Sequence, residues 1–152
     1  MTTSTLPEID NLSFTVTQEI RVNASLDVTF ESLLEQLTDN EMMDGTKMPM
    51  KLEPWPGGRW FRDLDNNNGH FWAHVQAIKR PTLLEFTGPL MMSHPVLNNV
   101  QYRLTEADGV TIIKFRHSAF GLFDEGHRKG VAGGWNYMHE RVRERAERKA
   151  PK

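Results

Sequence analysis

Cysteine is absent from the 152 residues, which excludes disulfides, thiolate nucleophiles and sulfur-ligated zinc. No basic N-terminal segment leads into an apolar run of signal-peptide length, and no stretch approaches the roughly 18 apolar residues of a membrane span. A soluble, cytoplasmic protein is therefore expected. Charge of one sign is also lacking: 18 basic side chains face 20 acidic ones, for a net charge of -2. No global field recruits nucleic acid or an anionic membrane. Internal repeats, low-complexity tracts and linkers do not occur. The length suits one domain that buries roughly 70% of its unfolded surface, expected over residues 12–150. Residues 1–11, polar and aperiodic with Pro7, are expected to form a flexible tail.

What is present is a pattern of short strands closed by one long helix. Phe14, Val16, Ile20 and Val22 alternate with Thr15, Thr17, Glu19 and Arg21, as a half-buried strand requires. Gln18 alone breaks the apolar face. Asn23 or Ser25 can cap a helix carrying Leu26, Phe30, Leu33, Leu34 and Leu37 at helical spacing. Met48 to Leu52 is confined by Pro49 and Pro54 to an edge or irregular strand. Trp55-Pro56-Gly57-Gly58 reads as a turn, followed by a strand over Arg59 to Leu64 in which Trp60, Arg62 and Leu64 share a face. Asp65-Asn66-Asn67-Asn68-Gly69 has hairpin-loop chemistry. In the return strand, His70 to Ile78, Phe71, Ala73 and Val75 compete with Trp72 for the core face, and a bulge before Ile78 can switch the phase. Leu84 and Phe86 mark another strand, and Met91 to Pro95 an irregular apolar connection. Val100, Tyr102 and Leu104 alternate towards a turn at Glu106 to Gly109, after which Ile113, Phe115 and His117 form the inward face of a returning strand. Val131, Trp135, Met138, Val142 and Ala146 then recur at spacings of four, three, four and four, one apolar stripe on a charged helix. Successive short strands with tight turns exclude a parallel βαβ design. The expected class is α+β, with a curved antiparallel sheet gripping the final helix.

Most chemical motifs fail against these residues. Asp63 to Asn67 opens like an EF-hand loop, but Asn68 stands at the glycine position and His74 at the closing glutamate. His70 and His74 would share a strand face about 13 Å apart at about 3.3 Å per residue, too far to chelate one metal. His139-Glu140 lacks the second histidine of a metalloprotease helix. No nucleophile elbow or phosphate cradle occurs, since Gly126 to Gly130 lacks the rest of a P-loop. No metal, cofactor or catalytic residue is assigned. The basic and acidic alternation from Arg141 to Arg145 reads as a solvated helix face.

Gly126, Gly130 and Gly134 lie four apart before and beside Trp135. Two readings stand: the helix starts near Val131 and the earlier glycines are loop, or the glycines form a strip without side chains that leaves room between helix and sheet. The second reading requires a reason for helix-interior glycines, each about 1 kcal/mol less favourable than alanine. Inward aromatics would wall such a space, or else simply fill the core. Arg62 and His117 fall on faces their neighbours place inside, where a polar group needs a partner.

The order of elements, Ile20-Arg21-Val22-Asn23-Ala24-Ser25, Pro56-Gly57-Gly58-Arg59-Trp60, Leu83-Leu84-Glu85-Phe86-Thr87, His117-Ser118-Ala119-Phe120 and Gly134-Trp135 together resemble the START/SRPBCC superfamily. Within it they are similar to the branch of the C-terminal domain of the activator of heat-shock-protein-90 ATPase, over about residues 12 to 148. The resemblance implies a helix-grip fold: about seven antiparallel strands wrapped around a long C-terminal helix, one or two short helices after the first strand, and often an apolar cavity. It implies a binder of lipids, hormones or polyketides, or more rarely a cyclase or hydrolase. The sequence lacks the separate N-terminal domain of the co-chaperone, which weakens an expectation of chaperone activation. The leading expectation is an apolar or aromatic small molecule held between helix and sheet by Trp60, Arg62, Trp72, Phe86, Tyr102, Phe115, His117, Trp135 and Met138, with Arg62 or His117 orienting a polar group. The alternatives are a module that binds a chaperone or other protein, and an enzyme using His117 or His74 as general base. A homodimer stays open; nucleic acid and membrane insertion are not expected.

Overall fold

A computed structural model describes residues 11–151; the tail expected over residues 1–11 lies, except for Asn11, outside the described residues. The chain runs β1 (Ser13–Val22), α1 (Leu26–Thr38), β2 (Asp39–Glu41), β3 (Lys47–Pro49), β4 (Lys51–Leu52), β5 (Arg59–Asp63), β6 (Gly69–Lys79), β7 (Leu83–Gly88), β8 (Val96–Ala107), β9 (Val110–Gly121) and α2 (Glu125–Lys149). Seven strands form one antiparallel sheet in the order β1-β9-β8-β7-β6-β5-β4, and β2 and β3 pair separately. This is the expected α+β helix-grip arrangement.

Local chemistry explains most boundaries. The Ser25 hydroxyl accepts from the Val28 N–H at 3.3 Å and caps α1. Asp124 does the same for α2, its Oδ1 accepting from the His127 N–H at 2.6 Å. Asp65, Asn66 and Asn67 all adopt positive φ, at 68°, 53° and 62°, and turn the chain between β5 and β6. The alternation expected in β5 stops sooner than its residues suggest. The strand ends at Asp63, and Leu64 is 48% exposed in the loop rather than inside.

Strand β6 resolves its own ambiguity with two bulges. Trp60 faces Ala73 but Phe61 faces Phe71, so Trp72 is the extra residue, and Trp72 and Ala73 are both buried while Phe71 is exposed. A second shift falls between Val75 and Ala77. In β9 and β8, Ile113, Phe115 and His117 pair with Leu104, Tyr102 and Val100, and all six are buried.

All five stripe residues of α2 are buried, and His139 joins them. Trp60 anchors the opposite side: it is fully buried, its indole N–H donates to the Leu37 carbonyl at 2.8 Å, and Phe86 stacks on it at 5.2 Å. Each such side chain contributes about 1.5–3 kcal/mol or more through burial. Arg145 and Lys149 of α2 bind Asp39 at 2.9 Å and Glu35 at 2.6 Å, holding α1 and the start of β2 against the helix. Among the described residues, no helix is long and apolar enough to cross a membrane, and no group of three histidines and carboxylates is placed to hold a metal ion.

Candidate functional site

Helix α2 starts at Glu125, so Gly126, Gly130, Gly133 and Gly134 are all helical. The reading in which the helix begins near Val131 is thereby corrected: the Asp124 cap starts it six residues earlier. A Cβ built on Gly130, Gly133 or Gly134 meets nothing within 4 Å. Close packing therefore does not account for these glycines. Gly126, Gly130 and Gly134 instead line an open cavity of about 590 Å³.

The opposite walls come from three places. Trp60 and Trp72, edge to face at 5.0 Å, form the sheet side. Val131, Trp135 and Met138 continue the helix side beyond the glycines. The β2–β3 hairpin and the β7–β8 connection supply the rim, where Met42, Met43 and Met91 are 51%, 66% and 46% exposed and Met48 sits further in. Methionines adapt their shape to irregular apolar partners. The hairpin is tied to α2 by the Tyr137 hydroxyl, which donates to Glu41 Oε1 at 2.9 Å, while Lys47 reaches Glu41 Oε2 at 3.2 Å. These contacts, Tyr137 first, hold the Glu41 carboxyl below its ordinary range. Hydrogen bonds from Thr46 do the same for Asp44, the other carboxylate at the rim.

Behind Trp135 lie two buried polar chains. The Trp135 indole N–H donates to His117 Nδ1 at 2.9 Å, and His117 Nε2 lies 2.7 Å from Asn98 Oδ1. Because Asn98 Nδ2 donates to the Gly88 and Pro89 carbonyls, its Oδ1 accepts, and His117 is the neutral Nε2–H tautomer. The second chain mirrors the first. Gln18 Nε2 donates to the Ala132 carbonyl at 3.0 Å, His139 Nδ1 sits 2.7 Å from Gln18 Oε1, and Tyr102 Oη sits 2.9 Å from His139 Nε2. His139 thus donates to Gln18 and accepts from Tyr102. Burial lowers His117 to about 4, with His127 adding to the effect, and lowers His139 to about 3; burial also raises the Tyr102 phenol well above its ordinary value. Both imidazoles are held neutral.

The sequence-derived residues therefore divide into three groups. Trp60, Trp72, Trp135 and Met138 line the cavity. Phe86, Tyr102, Phe115 and His117 stand behind it: Phe86 stacks on Trp60, Phe115 packs on Trp135 at 4.9 Å, and Tyr102 and His117 belong to the buried chains. Arg62 is brought to neither place. Register breaks after Trp60 and β5 ends at Asp63, so Arg62 lies at the hairpin end of the sheet. There it lines a polar depression of about 720 Å³ with Lys51, Asp63 and Asn66. Both nitrogens of His117 are engaged, leaving no lone pair for a general base. His74 is exposed, with Nδ1 3.1 Å from the Gly57 carbonyl. His139 carries a structural role that spacing alone left unassigned, although it falls four residues after Trp135 and Gln18 interrupts the apolar face of β1. Those two polar interruptions were the available signal for the second chain.

Solved structures share this architecture. A protein from Mesorhizobium loti is 19% identical, with a TM-score of 0.66 over 91% of this chain and 100% of that one. One from Rhizobium leguminosarum is 15% identical, with a TM-score of 0.71 over 90% and 96%. The di-domain ARO/CYC BexL from the BE-7585A biosynthetic pathway is 13% identical, with a TM-score of 0.62 over 93% of this chain and 51% of that one. At these identities the likeness concerns the fold alone. No curated protein sequence matches the chain. A family model does match residues 24–147, and the chain accordingly belongs to the family described as Activator of Hsp90 ATPase homolog 1-like protein.

Proposed function

We propose that the protein binds an apolar or aromatic small molecule, as a soluble cytoplasmic binder, in the cavity between α2 and the sheet. The observation that carries this reading is the glycine strip. Gly130 and Gly134 lie inside a helix, have open space where a side chain would be, and line the same cavity as Trp60, Trp72 and Trp135. Two helix-interior glycines cost about 2 kcal/mol relative to alanine, and ligand binding gives that sacrifice a use. The volume of about 590 Å³ falls in the usual range of roughly 300–1,000 Å³ for small-molecule sites. Trp60, Trp72, Trp135 and Met138 would contact the ligand directly, with Phe86, Tyr102, Phe115 and His117 fixing the positions of these walls.

The test is titration with prodan, an uncharged naphthyl ketone whose emission shifts to the blue in apolar surroundings, together with native mass spectrometry of the purified protein. Blue-shifted, saturable emission or a co-purifying small molecule supports the reading. Absence of both removes it.

A second reading is a protein-interaction module, which the family description favours together with one surface feature. Leu97 and Phe120 are cross-strand partners on β8 and β9, 61% and 53% exposed, with Leu122 close in sequence and 59% exposed. Stimulation of a chaperone ATPase that is lost in Leu97→Ser/Phe120→Ser would support it, and loss of stimulation in a cavity variant alone would not.

A further inference from the structure

The polar residues that line the cavity are Asn40, Glu41, Asp44, His127 and Tyr137. Glu41 and Tyr137 bond each other at 2.9 Å, and Lys47 takes the other Glu41 oxygen. The Thr46 N–H bonds Asp44 at 2.9 Å, and His127 Nε2 is closed to solvent. Asn40 differs from all of these. It is 7% exposed, and its Oδ1 accepts from the Glu41 backbone N–H at 3.0 Å, which fixes the orientation of the amide. Its Nδ2 then has no hydrogen-bond acceptor among the described residues, yet it is open to a water-sized molecule rather than sealed in the core. Since the residue is otherwise buried and borders the cavity, that opening faces the cavity. Strand β2 holds the group in place. On either side of it, Asp39 is bound by Arg145 and Glu41 by Tyr137, both from α2. Asn40 alternates with them and lies opposite Met48, which also lines the cavity. An amide N–H in apolar surroundings is costly until an acceptor reaches it, so Nδ2 marks a place where an acceptor belongs.

Resting on the cavity reading, we propose that the site selects an uncharged ligand carrying a carbonyl oxygen, and that Asn40 Nδ2 is the donor that receives this oxygen. A carbonyl accepts the hydrogen bond and brings no donor of its own that would need a partner. An ionised carboxylate accepts as well, but no lysine or arginine lines the cavity, so it would exchange its water for a single amide N–H. The indole and methionine walls take the apolar remainder of the molecule. Asn40 is then a specificity-determining residue, and an aromatic or aliphatic ketone, quinone or ester is the ligand class.

Two probes of matched shape, displacing prodan, test this: 2-acetylnaphthalene and 2-isopropenylnaphthalene, in which a methylene replaces the carbonyl oxygen. In Asn40→Leu the ratio of ketone to alkene affinity is expected to fall about fivefold, while the alkene still binds. Asn40→Asp keeps the size and the oxygen that accepts from Glu41 but loses the amide donor, and at about pH 8, where a carboxylate is ionised, it should lower the ratio as well. Bound prodan, itself a ketone, should emit further to the blue in Asn40→Leu, because the hydrogen bond to its carbonyl is gone. If Asn40→Leu binds neither probe, the ratio in Asn40→Asp decides. An unchanged ratio overturns the proposal and leaves the cavity reading standing. If neither prodan nor either probe binds the unaltered protein, both fall together.

Discussion

The Trp135 indole N–H donates to His117 Nδ1 across 2.9 Å, so one side chain forms a cavity wall on one side and completes a buried hydrogen-bond chain on the other. The orientation of that wall is set by Asn98, two strands deep in the sheet, through His117 Nε2. Removing the imidazole leaves two buried groups without partners. His117→Leu is expected to destabilise the protein by about 2–4 kcal/mol, read from urea unfolding. Because Trp135 loses its anchor, prodan affinity should fall as well, even though His117 does not line the cavity.

The two buried imidazoles make stability depend on pH in a defined direction. Their folded values, about 4 for His117 and about 3 for His139, lie below the unfolded value of about 6.5. Between these values the unfolded chain binds more protons, so stability is fully present above about pH 6.5 and is lost as the pH falls towards 4 and then 3. Each histidine should remove about 1.4 kcal/mol per pH unit within its window. Urea midpoints between pH 7.5 and 5 check this above the range where carboxylates titrate, and His139→Phe should flatten the curve.

The hairpin that carries Met42 and Met43 is held to α2 by Tyr137 and Glu41. Tyr137→Phe removes that hydrogen bond while leaving the ring beside Arg141. The expected loss of stability is about 0.5–1.5 kcal/mol. Amide exchange in residues 39–49 should accelerate more than exchange in β8 or β9.

Arg62 offers the opposite expectation. It lies in the polar depression by the β5–β6 hairpin and not in the apolar cavity. Arg62→Ala should leave prodan affinity within about twofold and stability within about 0.5 kcal/mol, measured in the same titrations.

Much of the fold was legible because its signals are local. Asp65 to Asn67 are residue types that tolerate the positive φ they adopt, and the alternation around Tyr102 and Phe115 gave their inward face without tertiary information. The stripe from Val131 to Ala146 likewise reported a single buried helix face. What resisted reading was set by tertiary structure. The bulge that buries Trp72 and Ala73 together breaks the period-two rule, and Arg62 lies near the hairpin end of β5, where the strand stops at Asp63. Met42 and Met43 reach the cavity only because the β2–β3 hairpin folds across α2, a long-range contact with no local signature. Glycine spacing pointed to the cavity, but only the Asp124 cap decides that those glycines are helical.

The most direct measurement compares Gly130→Leu with Gly133→Leu for stability and prodan binding. Both positions lie in α2 with open space around a built Cβ, but Gly130 lines the cavity and Gly133 does not. Both substitutions should raise stability by about 1 kcal/mol through helix propensity. The leucine at position 130 should also occupy the cavity and weaken prodan binding on the order of tenfold or more, while the one at 133 leaves it unchanged. Equal prodan affinity in the two variants would contradict the claim that the glycine strip keeps a binding site open.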